Sequence, residues 1–309
     1  MVLGKIGLTG STGMLGRHIR VALEVAGANV VSVSRLCGEG VARWDLVEWL
    51  KPDVLDTLFP GVTAVVHAGA LVYPPAGVSE DHMFDVNVRA CANLATWARA
   101  RSIPIVFVSS GSVYANPDSG HLREDAPLGA NDVSGFYGMT KLLAEDVLGR
   151  FKACGLKLAV VRPSALYGCG GPASKMLYKF LNTAAHGESI MLTPPVEDRI
   201  DFVHAADLSS AIVRIIERSC WETFNIASGA PVSIRDLAIA CVAATGSGSV
   251  EVARSEEAVR PPLDRFFLDA GLVRRRLDWT PAIGVKQGLG MVLAGQLKFV
   301  HPSTQNQTV

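Results

Sequence analysis

The 309-residue chain is 49% hydrophobic and 19% charged, a composition of globular and not of disordered proteins. Lysine plus arginine equals aspartate plus glutamate, 29 each, so charge gives no case for nucleic acid or an anionic membrane as partner. No apolar run approaches the roughly 18 residues of a membrane span, the first residues lack a signal-peptide layout, and the six scattered cysteines read as reduced cytoplasmic thiols with no metal-ligand spacing.

The first element, "KIGLTG", reads as a strand. "MLGRHIRVALEVAG" follows, with Leu15, Ile19, Ala22, Leu23 and Ala26 at helical period and Gly27 as its stop. Between them Gly10, Gly13 and Gly16 stand three apart. In a strand–turn–helix context, Gly10 permits a tight turn, Gly13 lets backbone approach a pyrophosphate, and Gly16 lets helix and strand pack closely. The helix N-terminus then offers free N–H groups to phosphate. The second strand, "ANVVSVSR", ends on Ser34 and Arg35, where a dinucleotide fold often carries an acid for the adenine ribose; the first acid is Glu39. An arginine there pairs with a 2′-phosphate, which favours NADP(H). The alternative is NAD, with Arg35 solvated and stacked on adenine.

"VTAVVHAGA" and "IPIVFVSS" are buried strands flanking a helix, "VNVRACANLATWARAR". "YGMTKLLAEDVLGRFKACG" is the next helix and "LKLAVVRPSALYG" the next strand. This alternation predicts an α/β fold with a doubly wound parallel sheet. After Pro163 the rhythm breaks at Gly168, Gly170, Gly171 and Pro172, and "RIDFVHAADL", "TFNIASG" and "SIRDLAIACVAATG" alternate irregularly. The expected organisation is a dinucleotide-binding domain over 1–163, with segments at about 200–228 returning to the sheet. A smaller C-terminal substrate-binding lobe takes 164–300, and 301–309 is a polar, frayed tail.

Tyr137 and Lys141 fall at i and i+4 of a helix and share a face. A tyrosine is a poor base at neutral pH, with an ordinary pKa of about 10. A neighbouring ammonium and a cationic nicotinamide lower that value and let the phenol exchange a proton with a substrate hydroxyl. Ser110, at the carboxyl end of a parallel strand, hydrogen-bonds the same oxygen in this arrangement.

These motifs together resemble the extended short-chain dehydrogenases/reductases, the group of NAD(P)-dependent nucleotide-sugar epimerases, dehydratases and reductases, over nearly the whole chain. "TGSTGMLG" is similar to the family's cofactor turn, adding Thr12, Met14 and Leu15 to the three glycines. "WDL" resembles its adenine-contacting pair, Asp45 and Leu46, and "VVHAGA" its fourth-strand element, with Ala68, Gly69 and Ala70 along the cofactor. Asn87 stands at the family's asparagine, "VSSGSVYA" matches its catalytic serine to Ser110, "YGMTK" is its YxxxK helix, and "VRPSALYG" places Pro163 near the carboxamide. "RIDFVHAADLSSAI", "FNIASGAPVSIRDLA" and "LDWTPAIGVKQGL" resemble its substrate-lobe signatures. The resemblance implies a Rossmann-like sheet, a Ser110/Tyr137/Lys141 catalytic set, NADP or alternatively NAD as cofactor, a nucleotide-sugar substrate, and a homodimer built on the helices "VNVRACANLATWARA" and "YGMTKLLAEDVLGRF".

Family dehydratases carry Asp-Glu after the catalytic residue; Gly111 and Ser112 stand here, which argues against 4,6-dehydration. Ser112 and Val113 supply none of the cysteine used by epimerases that act at two carbons. A simple carbonyl reduction or a one-carbon epimerisation is left. Ser110, Ser112, Arg199 and Arg260 are the expected substrate contacts; Arg199 lies one residue off the family's phosphate arginine, and surface charge is the other reading of both arginines. Two further readings are an NADP-dependent ketoreductase of an apolar carbonyl compound and a non-catalytic NADP-sensing protein. His67 and His204, in apolar strands, read as hydrogen-bonded core histidines, and Tyr73 to Pro75 as either substrate wall or plain loop.

Overall fold

The computed structural model describes residues 3–72, 79–131, 134–254 and 261–297. The sheet-forming half runs β1 (Lys5–Thr9), α1 (Met14–Val25), β2 (Asn29–Ser34), β3 (Val41–Arg43), α2 (Pro52–Leu58), β4 (Ala64–His67), α3 (Glu80–Phe84), α4 (Ala90–Ala100), β5 (Ile105–Val108), α5 (Gly135–Ala153) and β6 (Leu158–Pro163). The remainder runs β7 (Ala165–Tyr167), α6 (Met176–Ala185), β8 (Ser189–Leu192), β9 (Arg199–Ile200), β10 (Phe202–His204), α7 (Ala205–Glu217) and β11 (Thr223–Ile226). It ends with β12 (Val232–Ser233), α8 (Ile234–Thr245), β13 (Ser249–Val252), β14 (Asp264–Arg265), α9 (Gly271–Leu277) and α10 (Val285–Leu293). Seven strands form one sheet in the order β11-β6-β5-β4-β1-β2-β3, with every pairing parallel.

Strand side chains alternate between faces, and here both faces are apolar. Val66, Val106 and Val161 pack with Ile19, Leu23, Leu208 and Ile212 of α1 and α7. Val65, Phe107 and Val160 pack with Leu55, Leu94, Trp97 and Leu148 of α2, α4 and α5. Burial on both sides is why β4, β5 and β6 are continuous apolar runs. A separate apolar cluster joins Tyr167, Leu177, Leu181, Ile190, Leu237 and Leu289.

The structure departs from the sequence reading in three places. "LKLAVVRPSALYG" is two strands: Ala165 donates to Asp201 O, so the chain leaves the sheet at Ser164 and β7 pairs with β10 instead. The helix before β5 begins at Glu80 and carries a π-helical turn, Asp85–Arg89, before α4. Of the segments expected back at the sheet, β11 joins it beside β6 and α7 packs on α1, whereas β9 pairs with β12 and β14. Arg260, Tyr73 to Pro75 and the 301–309 tail lie outside the described residues.

Three buried histidines accompany this packing. Burial holds His18, beside Arg17, and His204, beside His18, at about 4, and His67 at about 3. Asp207 accepts the N–H groups of Ala282 and Ile283, both at 3.0 Å, yet burial pushes it up to about 6. Among the described residues no helix is long and apolar enough to cross a membrane.

Candidate active site

The glycine turn follows β1 directly. Gly10 has φ +68°, and a Cβ there would lie 2.7 Å from the Gly69 backbone. A Cβ on Gly16 would lie 2.0 Å from Gly10 O, so α1 crosses the turn at a distance that only glycine allows. Gly13 caps α1 without a side-chain bond, leaving the helix N-terminus open. Gly16→Ala is expected to cost roughly 1–3 kcal/mol of stability through overpacking and to abolish dinucleotide binding. Urea unfolding and NADPH fluorescence titration check this; wild-type affinity in the variant counts against a phosphate role for the turn.

A cleft of about 250 Å³ opens over this turn. Ten of the expected cofactor residues line it: Gly10, Thr12, Gly13, Ser34, Arg35, Asp45, Leu46, Ala68, Gly69 and Ala70. Met14, Leu15, Gly16, Asn87, Tyr137, Lys141 and Pro163 do not line this part. Thr12 Oγ1 and Ser34 Oγ are 2.6 Å apart and tie the turn to the end of β2. Gly69 sits against Leu46, where a Cβ would come within 2.7 Å of Leu46 Cδ1, and its N–H bonds Thr9 Oγ1 at 3.2 Å. Thr9 also holds His67 Nδ1 at 2.7 Å, so His67 is a hydrogen-bonded core histidine. The bare turn, the open helix end and the small residues just after β4 fit a dinucleotide's phosphates. Trp44, Leu71, His82 and Val86 also line the cleft. Trp44 and Leu71 come from the segments after β3 and β4, and His82 and Val86 from α3 and the π-helical turn, so no local pattern marks the four as a group.

The second group of residues lies at the ends of β5 and β6. Ser110 Oγ accepts from Ser112 N at 3.1 Å and lies 3.0 Å from Ser112 Oγ, capping a short 3₁₀ turn, Gly111–Val113. α5 packs on this turn at Gly138, where a Cβ would stand 2.9 Å from Ser112 O. Asn131 braces the entry to α5: its amide donates to Ser112 O and Tyr114 O, and its carbonyl accepts from Ser134 N. Tyr137 is half-buried, and Thr140 Oγ1 donates to its carbonyl at 2.8 Å. Lys141 is 3% exposed; its Nζ donates to Val108 O at 2.7 Å and stands 4.6 Å from the Phe107 ring centroid. Burial lowers its ammonium to about 8, against the opposing pull of Cys91 and Glu145. Lys141 is therefore charged at neutral pH but close to releasing its proton.

Asn87 turns inward from the π-helical segment. Its side chain accepts from Leu71 N and donates to Leu71 O and to Thr140 Oγ1 at 2.8–3.0 Å. It thus joins the β4 loop to α5. Pro163 ends β6, with its carbonyl 3.0 Å from where a Gly111 Cβ would stand. Arg199 lies elsewhere: it grips Asp264 through two bonds of 2.7 and 2.8 Å and locks β9 to β14, so its charge is already shared with a carboxylate. Among the described residues no group of three or more His, Cys, Asp or Glu side chains could hold a metal ion.

The model of the NAD dependent epimerase/dehydratase family matches residues 6–227. A UDP-glucose 4-epimerase of Azospirillum brasilense is 27% identical over 89% of this chain and 86% of its own length. A dTDP-4-dehydro-6-deoxy-D-allose reductase of Streptomyces bikiniensis is 26% identical over 77% of this chain and 80% of its own. The solved structure of MoeE5 in complex with UDP-glucuronic acid and NAD superposes with TM-score 0.78 at 25% identity, covering 94% of this chain and 98% of that one.

Proposed function

Since the chain belongs to the NAD-dependent epimerase/dehydratase family, we propose that it moves hydride between NADP and one carbon of a nucleotide-linked sugar, using Ser110, Tyr137 and Lys141. The observation that carries this reading is the packing of α5 on the Ser110 turn, which brings the Tyr137–Lys141 pair to the carboxyl edge of the sheet. That edge is where open parallel sheets bind their ligands, and the glycine cradle is on it.

When bound, the cofactor supplies the hydride donor and acceptor. Tyr137 exchanges the proton of the substrate hydroxyl at its phenolic oxygen. Ser110 Oγ donates to the same substrate oxygen as charge builds on it. Lys141 stabilises the Tyr137 phenolate through its ammonium and fits a role against the nicotinamide ribose. Its anchor on Val108 O holds the side chain in one position, so no reorganisation is needed at the moment of transfer. The UDP- and dTDP-sugars named for the relatives support a nucleotide sugar as substrate. A homodimer on the helices spanning 86–100 and 137–151 is part of this reading, with Leu143 exposed on α5. A cytoplasmic setting is also part of it and suits the six unbridged cysteines.

Arg35, at the rim of the cleft with no acid beside it at the end of β2, supports NADP over NAD. Arg35→Ser is expected to weaken NADPH binding by about 10- to 100-fold, the worth of a charge-assisted bond, and to leave NADH within about twofold. Titrating both nucleotides into parent and variant checks this. Equal losses for the two would assign NAD and leave Arg35 as a stacking residue. Identifying the nucleotide released on denaturing the freshly purified protein, then offering UDP- and dTDP-sugars with NADPH, tests the function itself.

A further inference from the structure

We propose that Glu145 is a positioning residue: gripped by Arg162 and bonded to Ser109, it sets the register at which α5 presents Tyr137 and Lys141 to the Ser110 turn. The proposal rests on the reading of that pair as proton-handling groups. Glu145 lies one helical turn beyond Lys141. Lys141 Nζ donates to Val108 O at 2.7 Å, and Ser109 Oγ donates to Glu145 Oε1. Successive turns of α5 thus grip successive residues at the end of β5, and Ser110 is the next residue.

Arg162, on β6, closes the unit. Its Nε and Nη2 meet the Glu145 carboxylate at 2.6–3.2 Å. Its Nη1 donates to Tyr114 Oη at 3.2 Å and to Glu124 O at 3.0 Å, and Tyr114 Oη donates to Asn225 Oδ1 at 2.6 Å. One guanidinium therefore ties β6, α5 and the segment after the Ser110 turn together. The ion pair is nearly solvent-free, with side chains 6% and 8% exposed.

A buried pair of this kind adds little net stability, because desolvation offsets the attraction. Its geometry is another matter. A planar fork on a carboxylate fixes direction as well as distance. The apolar contacts of Ala144 and Leu148 beneath α5 are non-directional and carry no such fork. Glu145 also supports the Lys141 ammonium. The other groups around that ammonium are the Phe107 ring, Cys91, whose thiol burial pushes up to about 12, and His67, held at about 3. Of the two groups that pull the ammonium up, Cys91 and Glu145, only Glu145 is also fixed by Ser109 and Arg162.

The test uses the full chain with Glu145→Leu and Arg162→Met combined, an apolar pair of similar volume, and Arg162→Lys, which keeps the charge and loses the fork. Amide hydrogen exchange decides. The expected result in both variants is an acceleration of about tenfold or more over the first two turns of α5, with α4 and α1 unchanged. Exchange that is unchanged, or faster throughout the chain in step with a lower melting temperature, overturns the proposal. In the NADP⁺-saturated protein, phenolate absorbance at 295 nm should follow: the titration assigned to Tyr137 by subtracting Tyr137→Phe moves up in both variants. A parent protein with no such early-titrating tyrosine counts against the catalytic reading and leaves positioning to be decided by exchange.

Discussion

Replacing Tyr137 with phenylalanine is expected to lower turnover of a nucleotide-sugar substrate by about 10²- to 10⁴-fold, the range for losing a positioned acid–base group. The ring of Tyr137 is half-buried on α5, and Phe keeps its packing. Only the phenolic oxygen is lost, so NADPH affinity and melting temperature stay near those of the parent. Lys141→Met should lose as much, but through a different route. The ammonium that favours the phenolate goes, and so does the anchor on Val108 O. Substrate-saturation kinetics on both variants separate the effects: Tyr137→Phe lowers kcat with little change in KM for the cofactor, and Lys141→Met raises that KM as well. Full activity in Tyr137→Phe would end the proposed mechanism.

The second large effect is on stability in mild acid. His18, His67 and His204 are buried, and their folded-state values sit at about 4, 3 and 4. In the unfolded chain each takes up a proton near 6.5. Between these values the unfolded state binds more protons, so stability falls as pH falls. Asp207 works the other way, because its folded value is raised to about 6 and it holds a proton that the unfolded chain has released. Three protons gained less one lost leaves two, and two protons correspond to about 2.7 kcal/mol per pH unit near pH 5. Asp201 and Glu124, both raised by burial, reduce the slope toward lower pH. Urea unfolding at pH 7.5, 6.0 and 5.0 checks the sign: the midpoint falls from the first to the second, as the unfolded imidazoles begin to take up protons near 6.5, and falls further to the third. His204→Asn should make that drop shallower. A flat profile would mean that the imidazoles are hydrated in the folded protein.

The parts of the fold that were readable in the sequence are those with a local rule. Gly10, Gly13 and Gly16 are spaced by the geometry of one turn, and Tyr137 and Lys141 by one turn of helix. β4, β5 and β6 announce themselves because burial on both faces leaves no polar alternation to confuse them. Other features depend on partners far along the chain. The break at Ser164 is set by Asp201, which accepts from Ala165 N through its carbonyl and from Ser228 and Gly229 through its carboxylate. The π-helical turn at Asp85–Arg89 is a single widened turn with no residue type that marks it in the sequence, and it turns Asn87 toward Leu71 and Thr140. The pairing of Arg199 with Asp264 crosses 65 positions, a distance over which no local pattern links the two.

The order of strands also bears on how the chain is made. The partner of β6 on its outer side is β11, and the ribosome must deliver everything from Ser164 to Glu222 before that partner exists. At about 5–20 residues per second, the outer edge of β6 waits several seconds for it. All six residues of β6 are destined for burial, so this waiting edge is an apolar template for pairing with other nascent chains. A chaperone acting during synthesis has its clearest task there, and a chain cut short before Thr223 never closes the edge.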